Sequence, residues 1–420
     1  MFNSTISTPP LAGIDIQAEV SALINILSAA EDLPHQHTSH QKNTRQPRRP
    51  RRGNRIIPSI HRPHVLASER LLQWSTPQAA EFKRFLATTY LGLDPTRSFE
   101  VMALSLDTAT RSGYGSGLLR FTQFCDRHNI PEDSRMPASE SLLVLFAADA
   151  AGQISASTLN TWLAGLHFWH IINGAVWNGG ERLTQIKKGV RKLTPATSKR
   201  KKRPPVTIEH IYALRKGLDL TNSFDTSVWA IACVAFWSCC RLGELLIPSP
   251  NAFDPIKHAS RDTNLMFASV GSADYASLHI PWTKTTGIDG AIISITSRDD
   301  PSCPLAALRH HLLCNQGVPS SAPFFSYRTN TGSWSPVTKG WFLARCNQVW
   351  KDAGLLEMLG HGFRIGGATH LLLLGVAPDI VAVQGRWLSR AFLEYWRRVE
   401  SILPLFISKS GTWPLGLMPC

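Results

Sequence analysis

No stretch of this sequence is apolar enough to suggest a membrane span, since nothing approaches the ~18 consecutive apolar residues that a span requires. The longest apolar runs lie around 228–237 and 371–376 and read as buried helix segments. The N-terminus lacks a basic region ahead of an apolar one, so no secretory signal is expected. The 8 cysteines include no CxxC pair. In a chain of this size that argues for reduced thiols inside a cell rather than a disulfide framework. Cys239 and Cys240 sit together in an apolar stretch and are expected to be buried. A metal motif is also missing: His35, His37 and His40 have a suggestive spacing, but they lie in a segment with little else to order it.

Acid is scarce in two places. None occurs between Leu33 and Ala67, where the run PRRPRRGNR stands. Residues 1–66 therefore read as a disordered basic arm, with at most a short amphipathic helix over 14–27. Contact with DNA phosphates, nuclear import and a solvated tail without specific role all fit this arm. The second gap runs from Glu181 to Glu209 and holds ten basic residues. They include Lys187, Lys188, Arg191 and Lys192 on an expected helix. The others include the five consecutive residues Lys199, Arg200, Lys201, Lys202 and Arg203, flanked by prolines. The formal net charge over 420 residues is +14. A surplus of that size suggests a polyanionic partner, and nucleic acid is the commonest one.

The chain is long for one domain, so two folded units plus tails are expected. Residues 67–195 read as a helical domain. Tyr114, Leu118, Phe121, Phe124 and Cys125 make a stripe at spacings of three and four, and Trp162, Leu166 and Trp169 make another. His167 and His170 are expected to be packed or surface histidines. Residues 196–205 form a basic, proline-bounded linker. Beyond it, 206–408 reads as a second domain and 409–420 as a tail. Helices are expected over 207–218, 225–246, 304–316, 341–353, 366–375 and 378–384. Between 265 and 297 the pattern turns β-like, with segments 277–282 and 291–296 flanking a turn that contains Gly287 and Gly290.

Four short segments of the second domain could carry chemistry. Arg241 and Glu244 stand three apart at the end of an apolar run. Their plain reading is an ion pair, and a phosphate site is the functional one. Lys284 sits at an expected hairpin tip, where its flexible stem could reach a leaving oxygen. His361 and Arg364 stand three apart at an expected helix start, and Gly366–Gly367 would let a backbone or a phosphate come close. Trp387 is followed by Tyr395 in a helical stretch, with Arg397 and Arg398 beside the tyrosine.

The ordered set Arg-x-x-Glu, hairpin Lys, His-x-x-Arg, Trp and Tyr resembles the tyrosine recombinase (phage integrase) family. The wording HGFRIGGATHLLLLGV, VQGRW and FLEYWR resembles recombinase-like proteins of fungal mobile elements. The resemblance implies a mainly α fold. An N-terminal helical core-binding (SAM-like) domain would precede an α+β catalytic domain with a small antiparallel sheet. It implies that Arg241 and Arg364 clamp the scissile phosphate. Tyr395 would attack phosphorus to give a 3′-phosphotyrosyl link. Lys284 would protonate the leaving 5′-oxygen, and His361 would assist proton transfer at Tyr395. Trp387 would offer its N–H to a phosphate oxygen, and Glu244 would orient its neighbours. Bond energy would stay in the protein–DNA link, so no metal or other cofactor is expected. The implied partners are double-stranded DNA and further copies of the chain, as a tetramer. The implied location is the nucleus in a eukaryote and the cytoplasm otherwise. The spacing from Trp387 to Tyr395 is one residue shorter than the usual His-to-Tyr spacing of bacterial relatives. Lys257 and Lys339 compete with Lys284 for its role. Two other readings remain open: a domesticated copy that binds DNA without cutting it, and a type IB topoisomerase.

Overall fold

The computed structural model describes residues 55–199, 202–389, 392–393 and 396–408. Most of the basic arm, the expected helix over 14–27, Arg200, Lys201, Tyr395 and the tail 409–420 lie outside the described residues. The chain divides into two compact units, Met1–Arg200 and Lys201–Cys420.

Every described element of the first unit is helical. In chain order the α-helices are α1 (Arg70–Gln73), α2 (Pro77–Thr89), α3 (Pro95–Leu104), α4 (Thr108–Arg127), α5 (Glu140–Asp149), α6 (Ala156–Ile172) and α7 (Glu181–Lys192), with 3-10 turns at Glu132–Ser134 and Ala196–Ser198. Side-chain oxygens of Thr76, Asp94, Asp107, Ser139 and Ser155 accept from backbone N–H groups and cap five of these helices. The stripe on α4 buries Leu118, Phe121, Phe124 and Cys125 against Phe146 of α5 and Leu159, Leu163 and Leu166 of α6.

Helices α4 and α6 approach each other through glycine. A Cβ at Gly117 would stand 2.6 Å from the Trp162 Cα, and one at Gly165 would stand 2.6 Å from the Tyr114 carbonyl oxygen. His170 is wholly buried and satisfied. Its Nδ1 lies 2.7 Å from the Leu166 carbonyl and its Nε2 accepts from the Ala138 N–H at 3.0 Å. Burial pulls its pKa down to about 4, which keeps the ring neutral at pH 7. On α7, Leu183 and Val190 face the core, while Lys187, Lys188, Arg191 and Lys192 are all exposed.

The second unit is built around α9. Its elements are α8 (Ile208–Gly217), α9 (Ser223–Trp237), α10 (Leu242–Leu245), β1 (Leu265–Val270), β2 (Ala273–Ile280), β3 (Ala291–Thr296), α11 (Pro304–Cys314), β4 (Ser326–Arg328), β5 (Trp334–Pro336), α12 (Lys339–Asp352), α13 (His361–Leu373), α14 (Pro378–Gln384) and α15 (Val399–Ile407). From Asp225 to Trp237 every residue of α9 is buried, as expected of a helix that is apolar on all sides. Strands β1, β2 and β3 form an antiparallel sheet in that order, with Leu278 opposite Leu265 and Ile293. Ala276, Leu278, Ile280, Ile293 and Ile295 turn one face into the core. Strands β4 and β5 form a two-stranded ladder. The fold is mainly α with a small antiparallel sheet.

Two expectations are corrected. The run 225–246 is not one helix: α9 stops at Trp237 and α10 starts at Leu242. Cys239 takes a left-handed backbone at φ 47°, and the Cys240 N–H reaches back to the Ala235 carbonyl at 2.9 Å. This is a Schellman end made without glycine. Helix α13 begins at His361, five residues before the expected start, so His361 and Arg364 both belong to its first turn. The pair Gly366–Gly367 serves backbone packing. Cβ atoms there would stand 1.9 Å from the Val206 oxygen and 1.8 Å from the Phe236 oxygen.

The glycine contacts give a direct test in the first unit. Gly165→Ala should destabilise by about 1–3 kcal/mol because its methyl group has no room. Gly189 on α7 has nothing within 4 Å of an added Cβ, so Gly189→Ala should be neutral or stabilising by up to about 1 kcal/mol. Chemical denaturation of both variants checks this, and equal midpoints would sink the close-approach account.

Candidate active site

The site grows from two sharp turns that share a buried arginine. The first is the end of α9, over 238–240. The second is the end of α14, where Arg386 takes the left-handed region at φ 58° and the Trp387 N–H bonds the Ala382 carbonyl at 3.0 Å. A left-handed backbone costs a side-chain-bearing residue roughly 1–2 kcal/mol, so something must hold each turn.

Arg364 holds both. It is 0% exposed. Its Nη1 donates to the Cys239 carbonyl at 2.7 Å and its Nη2 donates to the Gly385 carbonyl at 2.6 Å. The guanidinium carbon lies 3.9 Å from the centre of the Trp387 ring, a cation–π stack. Gly385 is required by that stack, since a Cβ there would fall 1.6 Å from the indole.

A carboxylate balances this positive charge. Glu244 is buried, and its Oε1 accepts from Arg241 Nη1 at 2.8 Å. Its Oε2 accepts from the Arg241 backbone N–H at 2.9 Å and from Arg386 Nη2 at 2.8 Å. Burial works against its charge, but Arg386 first and then Arg241 hold the carboxyl below the usual carboxylate range. Burial opposes the Arg386 charge as well; Cys240 and Glu244 outweigh it and raise its pKa. Arg241 remains partly open, with 24% of its side chain exposed. The neighbouring Cys239 and Cys240 thiols are pushed up by burial to about 12 and about 11, so neither is a thiolate nucleophile near neutral pH.

His361 begins α13, one turn before Arg364, and part of it is open to solvent. Its pKa falls below the usual histidine value, first through desolvation and then through the fields of Arg203, Lys339, Arg241 and Arg364. The ring is therefore neutral at pH 7 and able to accept a proton.

Lys284 is exposed in the turn that links β2 to β3. The Thr283 hydroxyl accepts from the Thr285 and Thr286 N–H groups at 3.1 and 3.0 Å and shapes that turn. The adjacent Thr285 hydroxyl lies 3.5 Å from Arg241 Nη1, which brings the turn beside Arg241. Of the competing lysines, Lys257 is ion-paired with Asp254 at 3.3 Å. Lys339 opens α12 and lies along Gly360, where its Cε would stand 3.2 Å from an added Cβ.

Arg241, Glu244, Arg364, His361 and Trp387 are thus tied into one cluster, and Lys284 stands beside it through Thr285. Tyr395 lies outside the described residues. Sequence reading passed over Arg386 and did not place Arg203 at His361. Among the basic residues marked for DNA contact, Lys199, Lys202 and Arg203 are exposed. Among the described residues, no group of three or more His, Cys, Asp and Glu could hold a metal ion, and no helix is long and apolar enough to cross a membrane.

No family model matches the chain, and no curated protein matches it in sequence. Its structure is similar to that of the XerH site-specific recombinase bound to palindromic difH substrate in a post-cleavage complex. That likeness has a TM-score of 0.48 at 11% identity, covering 83% of this chain and 98% of that one. It is also similar to the Tn1549 transposon integrase in complex with transposon right end DNA, with a TM-score of 0.44, 12% identity and 80% and 100% coverage. The XerA recombinase follows with a TM-score of 0.33, 13% identity and 80% and 100% coverage. These neighbours are tyrosine recombinases and integrases.

The charge around His361 yields a measurable sign. A histidine whose charged form is disfavoured titrates below about 6.5, and removing a nearby cation moves its midpoint upward. Ring resonances of His361 should therefore titrate below the ordinary value, and Lys339→Met should raise the midpoint. A midpoint that ignores Lys339→Met would remove Lys339 from the site.

Proposed function

We propose that this protein is a DNA strand transferase of the tyrosine recombinase kind, which breaks and rejoins DNA through a 3′-phosphotyrosyl intermediate. The observation that carries this reading is the convergence of Arg241 with Arg364 and a neutral His361, a pair on one helix turn from a distant part of the sequence. Such a cluster suits a phosphoryl centre, where positioned cations stabilise the charge that develops on the equatorial oxygens. Tyr395 attacks phosphorus, the 5′-oxygen leaves with a proton from Lys284, and His361 accepts or returns the tyrosine proton. Arg241 is the exposed half of the clamp. Arg364 is the buried half, and it reaches a phosphate only after Trp387 or the turn at Gly385 gives way. DNA is the substrate and the partner of the exposed basic face of α7 and of the run from Lys199 to Arg203. Assembly as a tetramer on two duplexes, and residence in the nucleus if the host is a eukaryote, belong to the same proposal.

One observation favours a second reading. Both terminal nitrogens of Arg364 already donate to main-chain oxygens, and its side chain has no exposed surface. A protein locked in that arrangement would bind DNA without cutting it.

The deciding experiment uses a duplex recovered by selection from a random pool and nicked near the cleavage point, so that a covalent adduct is trapped. The wild type should form an adduct, Tyr395→Phe should form none, and Arg241→Ala should lose about 3 kcal/mol of transition-state stabilisation. Binding with no adduct would establish the second reading. Relaxation of any supercoiled plasmid would identify a type IB topoisomerase instead.

The DNA face has its own test. The logarithm of affinity should fall linearly with the logarithm of salt, with a slope of about 0.9 for each phosphate contacted. Changing Lys187, Lys188, Arg191 and Lys192 to Gln should flatten that slope, and an unchanged slope would take α7 off the DNA.

A further inference from the structure

Arg386 is an arginine with no surface task. It donates from Nη1 to the Gln384 carbonyl at 2.9 Å and to the Ser238 carbonyl at 3.3 Å. From Nη2 it donates to Glu244 Oε2 at 2.8 Å, and its side chain is 14% exposed. One guanidinium therefore spans three separate pieces of chain: the end of α9, the carboxylate on α10 and the end of α14. Its left-handed backbone places the side chain over the first turn while the next residue, Trp387, stacks on Arg364.

Glu244 has two oxygens and three close donors. Oε1 takes Arg241 Nη1, and Oε2 is shared between the Arg241 N–H and Arg386. Without Arg386, Oε2 would keep the backbone N–H alone. The carboxylate and Arg241 would then hold only each other, and the pair would lose its tie to the turn at Arg386. A buried carboxylate held from both sides presents Arg241 in one orientation.

We propose that Arg386 is a positioning residue for the phosphate clamp. It fixes Glu244, Glu244 fixes Arg241, and the same side chain ties that clamp to the turn that carries Trp387. Arg386 does not touch the reacting phosphate. The inference rests on the strand-transferase reading above, and the experiment separates the two failures.

The full-length protein is assayed on the nicked duplex as wild type, Arg386→Met, Arg386→Lys, Glu244→Gln, Arg241→Ala and the Arg386→Met/Glu244→Gln double variant. Absence of an adduct from the wild type overturns the strand-transferase reading and the positioning role with it. With an active wild type, Arg386→Met should slow adduct formation by about 100-fold, as displacement of a reacting geometry by an ångström does. DNA affinity should stay within about twofold, since no phosphate contact is lost. Arg386→Lys should recover part of the rate. The double variant should be no slower than the slower single variant, because both changes cut one chain of contacts.

The second readout is chemical. A methylphosphonate at the scissile position carries no negative charge and has less need of Arg241. On that substrate the defects of Arg386→Met and Arg241→Ala should shrink together to about a few-fold, because the charge that the clamp neutralises is gone. An equal Arg386→Met defect on phosphate and methylphosphonate would make Arg386 merely structural and overturn the proposal. Multiplicative single effects would overturn it too. Should Arg386→Met fail to fold, Arg386→Lys and Glu244→Gln carry the same comparison on both substrates.

Discussion

A single buried cation organises the second unit. The terminal nitrogens of Arg364 donate to the carbonyls of Cys239 and Gly385. A charge removed from water needs partners, and two main-chain oxygens with an aromatic face supply them here. In return the arginine fastens two left-handed turns that would otherwise be strained. Glu244 stands close enough for its own ionisation to be favoured by Arg386, Arg241 and Arg364. Taking the guanidinium away would release both turns, the Trp387 stack and part of the field on His361 together. Arg364→Ala is therefore a poor probe of chemistry alone, whereas Arg241 can be removed without opening the core.

The close packing of α13 makes this arrangement rigid. Gly366 and Gly367 let the helix press its backbone against Val206 and Phe236. A helix in such contact cannot rotate without lifting off, so His361 and Arg364 keep their relative direction. The sheet works at the other side of the cluster. The turn between β2 and β3 carries Lys284 and sets Thr285 against Arg241. Among the described residues, Arg241, Lys284, His361 and Arg364 thus stand on helices or on short turns beside them.

Much of this was legible in the sequence, and the exceptions have physical causes. The apolar stripe of α4 and the β-like segments 277–282 and 291–296 around a glycine-containing turn announce themselves because side-chain pattern and turn residues are written in the sequence. The break after Trp237 does not, because neither glycine nor proline marks it: Cys239 takes up a conformation that its side chain merely tolerates. The exact start of α13 was less plain, since Gly360 and Gly362 weaken the helical signal around His361 while here they lie close to Leu242 and Val206. Arg241, His361 and Arg364 could be singled out because their order and spacing are distinctive. Arg386 could not, because it is one arginine among several near the C-terminal end, and only its partners on α10 and at Ser238 give it meaning. Its sole advertisement is a position between Gly385 and Trp387. Lys339 was visible only as a competitor of Lys284, and its place beside His361 was not.

The two interior arginines draw on four main-chain oxygens, those of Ser238, Cys239, Gln384 and Gly385. A carbonyl oxygen is present whatever side chain its residue bears. The centre therefore stores its blueprint as the course of the chain rather than as spelling. At Ser238 and Gln384 the guanidinium groups ask only for the main-chain oxygen, while the side chains answer a separate demand: the Ser238 hydroxyl donates to the Ser294 carbonyl, and the Gln384 amide donates to the Trp237 and Ser294 carbonyls. Constraint on spelling at those two positions therefore comes from the sheet and the end of α9, and not from the arginines.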